Sequence, residues 1–260
     1  MPEGIEVEYY KQTALQALNR KIKSIEIIDH KYLMGACSPA ELRDVLIENC
    51  FIEAQRKGKL LVLSTSDDYK LGLRFGMTGR LLVDGSSAIK VLEYSSSKDN
   101  PKWDRLYIKF QDGGSLSISD PRRLGAVQIN PNLDTLGTDL YEVTATSLSE
   151  VLKHSARPIK ARLMDQSKIA GLGNLLTDEI LWRSSIDPRR QSNSLSRNDK
   201  RRLLRHTTQT ISELTELGGS HMGNLQDHRV PGGLCPKDGE PLNRYNIGGR
   251  TTYSCPKHQK

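Results

Sequence analysis

Aromatic side chains are scarce in this sequence: three Phe, two Trp and nine Tyr among 260 residues. Any hydrophobic core is therefore mainly aliphatic. No stretch is long and apolar enough to span a bilayer as a helix. The first ten residues carry Glu3, Glu6 and Glu8 and no apolar run, so no secretory signal is expected. A reducing, cytoplasmic setting follows, in which the four cysteines are not expected to form disulfides. Cys37 and Cys50 read as ordinary thiols. Internal repeats and low-complexity tracts are missing too, which excludes solenoids and disordered arrays.

Basic residues are plentiful. Lys and Arg outnumber Asp and Glu by 38 to 31, for a net charge of +7 and a pI near 9.2. That excess suits a polyanionic partner, and it equally suits a merely solvated basic surface. The length fits one large domain or two ordinary ones. Ile5, Tyr9, Leu15 and Leu18 recur at helical spacing over 4–20, and residues 22–28 alternate as a strand does. Ser38 before Pro39-Ala40-Glu41 predicts a capped helix running to about Glu48. From Cys50 to Ile129 short β runs follow at 60–64, 71–75, 80–83, 106–110 and 115–119, with Asp112-Gly113-Gly114 as a hairpin turn and 95–102 as a surface loop. Many strands without intervening helices predict a sandwich or barrel. Near 130–141 the strands stop. Beyond lie a helix boxed by Ser147 and Glu150, a short one from Pro158 to Met164, a glycine turn at 171–174 leading into a helix over 175–182, and a long helix from Ser196 to Gly218-Gly219.

Four groups of residues carry chemistry. Trimming of Met1 would leave Pro2 with a free secondary amine beside Glu3. Such amines titrate at about 7.7–8, so a neutral fraction can attack a sugar carbon and hold it as an imine. Met77 in the turn 75–79, and Arg122, Arg123 and Leu124 in the turn 120–125, combine cations with apolar tips, as a wedge into stacked bases requires. Core packing for Met77 and a surface pair for the arginines are the plainer alternatives. Around 160–174, helices joined through glycines can offer backbone N–H groups to a phosphate, with Asn174 as a further donor; an ordinary helix hairpin reads the same way. Residues 230–260 are too few for their own core and need a staple. Cys235-Pro-Lys-Asp238 and Cys255-Pro-Lys-His258 repeat one spacing, which suits a tetrahedral metal ion. A metal-free hairpin, or His228 in place of Asp238, is the alternative.

With Pro2-Glu3 and Glu6, Arg56-Lys57-Gly58-Lys59, Met77, Asp120-Pro121-Arg122-Arg123, the Leu163–Asn174 segment and the terminal finger in this order, the chain resembles DNA glycosylases of the formamidopyrimidine–endonuclease VIII family over its whole length. The resemblance implies an α+β fold: an N-terminal β-sandwich with flanking helices over 1–135, a helical domain with a helix–two-turn–helix element over 136–225, and a β-hairpin zinc finger over 226–260. It implies base-excision repair, in which an oxidised base is flipped out of duplex DNA and removed. Pro2 would attack the anomeric carbon and Glu3 would move protons. Glu6 would position the flipped nucleotide or a water, and Lys59 would bind phosphate, with Lys57 facing away. AP lyase activity would follow, with loss of the 3′ and then the 5′ phosphate. Asn174, Lys160 and Arg250 would contact DNA. Met77 and Arg122 would fill the gap left by the base, with Arg123 and Leu124 beside them. One structural Zn2+ would sit among Cys235, Asp238, Cys255 and His258. The resemblance implies no small-molecule cofactor, no membrane, damaged double-stranded DNA as partner, a monomer, and a cytoplasmic location, at the nucleoid in a bacterium.

The chain departs from the family pattern at three places. Leu124 stands where formamidopyrimidine enzymes often carry Phe, and Asp238 and His258 stand where four cysteines are usual. The segment 219–234 is short for the loop that caps 8-oxoguanine in some relatives. Ring-opened purines, hydantoins or oxidised pyrimidines are therefore expected to be better substrates than 8-oxoguanine. Two other readings are a damaged-DNA binder without catalysis and a zinc-containing RNA-binding protein; the second leaves the N-terminus unexplained.

Overall fold

The computed structural model describes residues 2–27, 29–35, 37–89, 92 and 100–260. Met1, residue 28 of the first expected strand and 95–99 of the expected surface loop lie outside them. The chain forms two compact units: Pro2 with Glu6–Leu133, and Glu3–Ile5 with Asp134–Lys260.

The first unit is a sandwich of two four-stranded antiparallel sheets. One sheet holds β1 (Ile22–Ile27), β6 (Asp104–Phe110), β7 (Ser115–Ser119) and β5 (Arg80–Val83), in that order. The other holds β2 (Phe51–Lys57), β3 (Leu60–Thr65), β4 (Lys70–Arg74) and β8 (Ala126–Ile129). Both sheets face one aliphatic core that includes Leu61, Leu63, Leu71 and Leu73 from one and Leu81, Leu106, Ile108 and Ile118 from the other. β3 is buried along its whole length, whereas β2 is largely exposed after Phe51. β2 is not among the runs named from the sequence, and its exposed residues after Phe51 show no alternating buried face. The turn 112–114 joins β6 to β7 as expected.

Helix α1 (Gly4–Ala14) packs Val7, Tyr10 and Ala14 on this core. It is shorter than the pattern over 4–20 suggested. Leu15, read as part of the buried stripe, is exposed in a 3-10 turn over Leu15–Ala17. α2 (Pro39–Leu46) opens with the expected reciprocal box between Ser38 and Glu41 and ends two residues early.

In the second unit α3 (Ala145–Lys153) starts one turn before the predicted box. Thr144 is the N-cap and Ser147 its reciprocating partner, so Ser147 and Glu150 do not form the box. α4 (Ile159–Leu163) follows Pro158. A two-residue parallel pair joins β9 (Thr138–Asp139) to β10 (Ile169–Ala170). α5 (Asn174–Arg183) is buried from Asn174 to Trp182, which makes it the central post of this unit. α6 (Arg197–Leu217) is boxed by Ser196 and Asp199 and closed by Gly218 in the left-handed region. The antiparallel hairpin of β11 (Asn243–Ile247) and β12 (Arg250–Ser254) completes the unit. Its Tyr253 and Cys255 share one apolar cluster with Trp182 of α5, Leu225 and Cys235, so packing continues across residue 225.

Candidate catalytic and nucleic-acid-binding site

In the first unit two turns are built against each other. Tyr10 of α1 stacks on Phe75, ring centroids 4.5 Å apart, and its hydroxyl donates to the Gly79 carbonyl at 3.1 Å. These contacts fix both ends of the turn that carries Met77. Gly76 has φ +55°, and a Cβ there would lie 2.3 Å from the backbone carbon of Leu124. Only glycine lets the Met77 turn approach the 120–125 turn so closely.

The second turn is organised by Asp120, which is fully buried. Its carboxylate accepts from the backbone N–H groups of Arg122 (3.2 Å), Leu124 (2.9 Å) and Gly125 (2.9 Å), and from the hydroxyls of Thr78 and Tyr32. Thr78 belongs to the Met77 turn, so one carboxylate ties both turns. Arg105 anchors the Asp120 carbonyl at 2.7 Å. Met77 is then half-buried, Arg122 is exposed, and Leu124 is 48% exposed. Met77 is thus neither fully buried nor fully exposed, and it is Leu124 that displays an apolar tip beside the Arg122 cation. Arg123 has φ 55° and pairs with Asp29 at 2.9 Å, which ties its guanidinium to the protein surface.

Lys59 lies beyond the end of β2, in the turn before β3. Arg56 braces that turn: its guanidinium donates to the Gly58 carbonyl at 2.9 Å and to Glu8 of α1 at 2.8 Å. Burial opposes ionisation of Glu8, but hydrogen bonds from Lys11 and Arg56 outweigh it and hold the carboxyl below its usual range. Lys57 donates to the Leu133 carbonyl at 3.3 Å. Positions two apart on a strand share a face, so it is the strand's end, not opposite faces, that separates Lys57 from Lys59. Glu6 is 1% exposed, so it is not a solvated charge on the surface of α1.

In the second unit the glycine turn holds an anion, and the anion is the protein's own. The Glu3 carboxylate is fully buried. It accepts from the N–H groups of Gly173 (2.8 Å), Leu175 (2.8 Å) and Leu176 (3.2 Å), at the N-terminus of α5. The partial positive charge of a helix N-terminus favours a carboxylate there. A Cβ on Gly173 would sit 2.2 Å from the carboxyl carbon, so the glycine is what admits Glu3. Gly4 N–H donates to the Gly171 carbonyl at 2.9 Å, and Gln166 pins the turn through Gly171 N–H and the Leu172 carbonyl. The expectation that these N–H groups serve a phosphate is corrected here: three of them serve Glu3. Asn174 is 8% exposed, with no hydrogen-bond partner for its carboxamide oxygen among the described residues.

Lys160 is a second correction. The reading as a DNA contact fails because its ammonium is fully buried, 2.7 Å from Asp178 and 2.8 Å from the Thr252 hydroxyl. Burial pulls its pKa down against the attraction of Asp178. Arg229 pairs with the other Asp178 oxygen at 3.1 Å. This charged knot joins α4, α5 and β12 and leaves Arg250, at the start of β12, exposed. No local pattern announced it, since Asp178 and Thr252 are 18 and 92 positions from Lys160.

The side chains of Cys235, Asp238, Cys255 and His258 converge, with one ligand atom from each within 4.8 Å of the others. His258 Nδ1 lies 2.7 Å from Asp238 and 3.8 Å from the Cys235 sulfur. The Trp182 indole N–H donates to that sulfur at 3.3 Å, an outer contact of the kind that orients a metal ligand. Two sulfurs, a ring nitrogen and a carboxylate form a donor set that a divalent ion such as zinc accepts. His228, the alternative to Asp238, is not in the cluster.

Comparisons with known proteins follow the same division. Residues 1–127 match the family model for the formamidopyrimidine-DNA glycosylase N-terminal domain, and residues 136–225 match that for the formamidopyrimidine-DNA glycosylase H2TH domain. The formamidopyrimidine-DNA glycosylase of Moorella thermoacetica is 32% identical over 94% of this chain and 94% of its own. That of Arabidopsis thaliana is 30% identical over all of this chain and 71% of its own. Among solved structures, wild-type Lactococcus lactis Fpg in complex with DNA containing N7-benzyl-Fapy-dG superposes with a TM-score of 0.84. It is 24% identical, with both chains fully covered, a likeness that bears on the fold alone.

Proposed function

This chain belongs to the formamidopyrimidine-DNA glycosylase family, and from that premise we propose that it removes oxidised bases from duplex DNA and then cuts the strand as an AP lyase. The observation that carries the proposal is the Glu3 carboxylate, buried and held by three N–H donors beside Pro2 in the chain. A nucleophile and a proton-transfer group are thus consecutive residues, and the second is rigidly oriented.

The neutral Pro2 nitrogen bonds to C1′ of the damaged nucleotide. The C1′–N bond breaks and its electron pair leaves with the base, which takes up a proton. The Glu3 carboxylate takes the proton that the Pro2 nitrogen sheds and passes it to the ring oxygen; the bond from C1′ to that oxygen breaks, the sugar opens, and C1′ becomes a Pro2 iminium. That cation acidifies C2′–H; its loss expels the 3′ phosphate, and a second elimination expels the 5′ phosphate. Lys59, in its braced turn, and Asn174, at the start of α5, hold phosphates. Glu6 positions the flipped nucleotide or its water. Met77 with Arg122 and Leu124 occupies the space the base leaves, and Arg250 grips the backbone from the hairpin. Zinc, bound by Cys235, Asp238, Cys255 and His258, would brace the finger and take no part in the chemistry. The protein acts as a monomer in the cytoplasm.

The aliphatic Leu124 and the short 219–234 segment support ring-opened purines, hydantoins or oxidised pyrimidines as better substrates than 8-oxoguanine. Excision assays on defined duplexes test both levels. Base release with strand ends bearing 3′ and 5′ phosphates is expected. Binding without base release would leave only a damage-binding protein, and a clear preference for 8-oxoguanine opposite cytosine would overturn the substrate assignment.

A further inference from the structure

One cavity of the second unit has no part in the chemistry above. It lies between α3 and the first turns of α6, has a volume of about 290 Å³, and is lined by Ala145, Leu148, Ser149, Leu204 and the cations Arg197, Lys200 and Arg201. At the lower end of ligand-pocket sizes, roughly 300–1,000 Å³, it has room for one or two side chains rather than a whole cofactor. Its floor is aliphatic, with Leu148 2% exposed at the base.

The rim is uncompensated. Among the described residues no carboxylate pairs with Arg197, Lys200 or Arg201; Arg201 bonds only the Asn198 amide oxygen, at 2.6 Å. Asp199, the sole acid in the stretch 197–205, is already engaged by Arg190, Arg202 and the Ser196 cap. Arg190 and Arg202 are thereby neutralised, while the three rim cations are not. α6 also directs the positive end of its dipole toward this rim.

A bare phosphate would gain from the cations but nothing from the aliphatic floor. An apolar ligand would fill the floor and leave the cations unanswered. We propose that this cavity docks an acidic peptide segment carrying one or two bulky apolar side chains, supplied by a partner protein. The apolar side chain enters over Leu148 and Leu204, and flanking carboxylates meet Arg197, Lys200 and Arg201. Such a contact would recruit the enzyme without occupying the residues assigned to DNA, so it stands apart from the function proposed above.

The test is fluorescence anisotropy of the full-length protein with a labelled hexapeptide of four aspartates followed by leucine and phenylalanine. Saturable binding is expected, weakened on the order of tenfold or more when both apolar residues of the peptide become serine. Arg197→Glu with Lys200→Glu should weaken binding at least tenfold. Ser149→Phe, which fills the cavity while keeping the rim charge, should do the same. Both variants should keep the wild-type melting temperature and excision rate. Equal binding of the serine peptide, displacement of the peptide by undamaged duplex DNA, or retention of binding by the filled variant would each overturn the proposal.

Discussion

Asp120 in the first unit and Glu3 in the second solve one local problem in the same way. Each buried carboxylate gathers three backbone N–H groups in a glycine-bearing turn: Arg122, Leu124 and Gly125 for Asp120, and Gly173, Leu175 and Leu176 for Glu3. Their outputs differ. Asp120 is surrounded by protein donors, including Thr78 and Tyr32, and what it displays is the side chains around it. Under the proposed function Glu3 is itself the reagent, and the turn holds it in place. On that proposal a carboxylate in the first setting is scaffolding for displayed side chains; in the second, the scaffold serves the carboxylate.

The comparison can be broken by experiment. Glu3→Gln keeps the shape and removes the charge; excision should fall about 10²–10⁴-fold while binding to damaged duplex persists. An equal loss in binding would make Glu3 scaffolding like Asp120. Lys160→Met should instead cost about 3–5 kcal/mol of stability by leaving Asp178 short of a buried partner, measured by urea unfolding. The salt dependence of DNA binding should not change, because a buried lysine releases no counterion; a shallower slope would restore Lys160 to the interface.

Gly173→Ala places a methyl group where the Glu3 carboxyl sits. A displacement of about 1 Å costs on the order of 10²-fold in rate, so single-turnover excision should drop while Asp120 and its wedge are untouched. Arg122→Ala sharpens the other side. Stability should stay at the wild-type value and affinity for lesion-bearing duplex should fall on the order of tenfold. The smallest effect concerns Arg20, which binds Asp84 and Asp112 in the first unit. Hydrogen bonding to Arg20 depresses the Asp112 pKa to about 2. A depressed carboxylate stabilises the fold above its unfolded pKa and loses that contribution as pH falls through the folded value. Arg20→Gln should therefore lower the melting temperature slightly at pH 6, by an amount that shrinks as pH falls through about 2.

Local chemistry was legible in the sequence where both partners sit within one turn. Ser38 with Glu41, the Ser196 cap and the 112–114 hairpin all satisfy themselves nearby. The α3 start was misread because Ser147 and Glu150 mimic a box, while the pair that forms is Thr144 with Ser147. Among candidate site residues, Arg122 and Leu124 are exposed as their turn suggested, whereas Met77 is half-buried. Lys160 was misassigned because a lysine in a basic segment looks the same whether it faces phosphate or a distant aspartate. The Glu3 contact spans 170 positions to Gly173, so spacing could not reveal it. In the structure Gly173 has an extended backbone that any residue adopts, so the glycine is there for the close approach of Glu3, which a sequence reading of 171–174 as a turn does not show.

The most direct test of the account is reductive capture. Mature protein is mixed with duplex containing an oxidised base, borohydride is added, and the adduct is digested and mapped by mass. The prediction is a deoxyribose fragment on the nitrogen of Pro2, at the chain's new N-terminus after loss of Met1. A chain that keeps Met1 and is never captured, or an adduct mapped to a lysine such as Lys59, would contradict it.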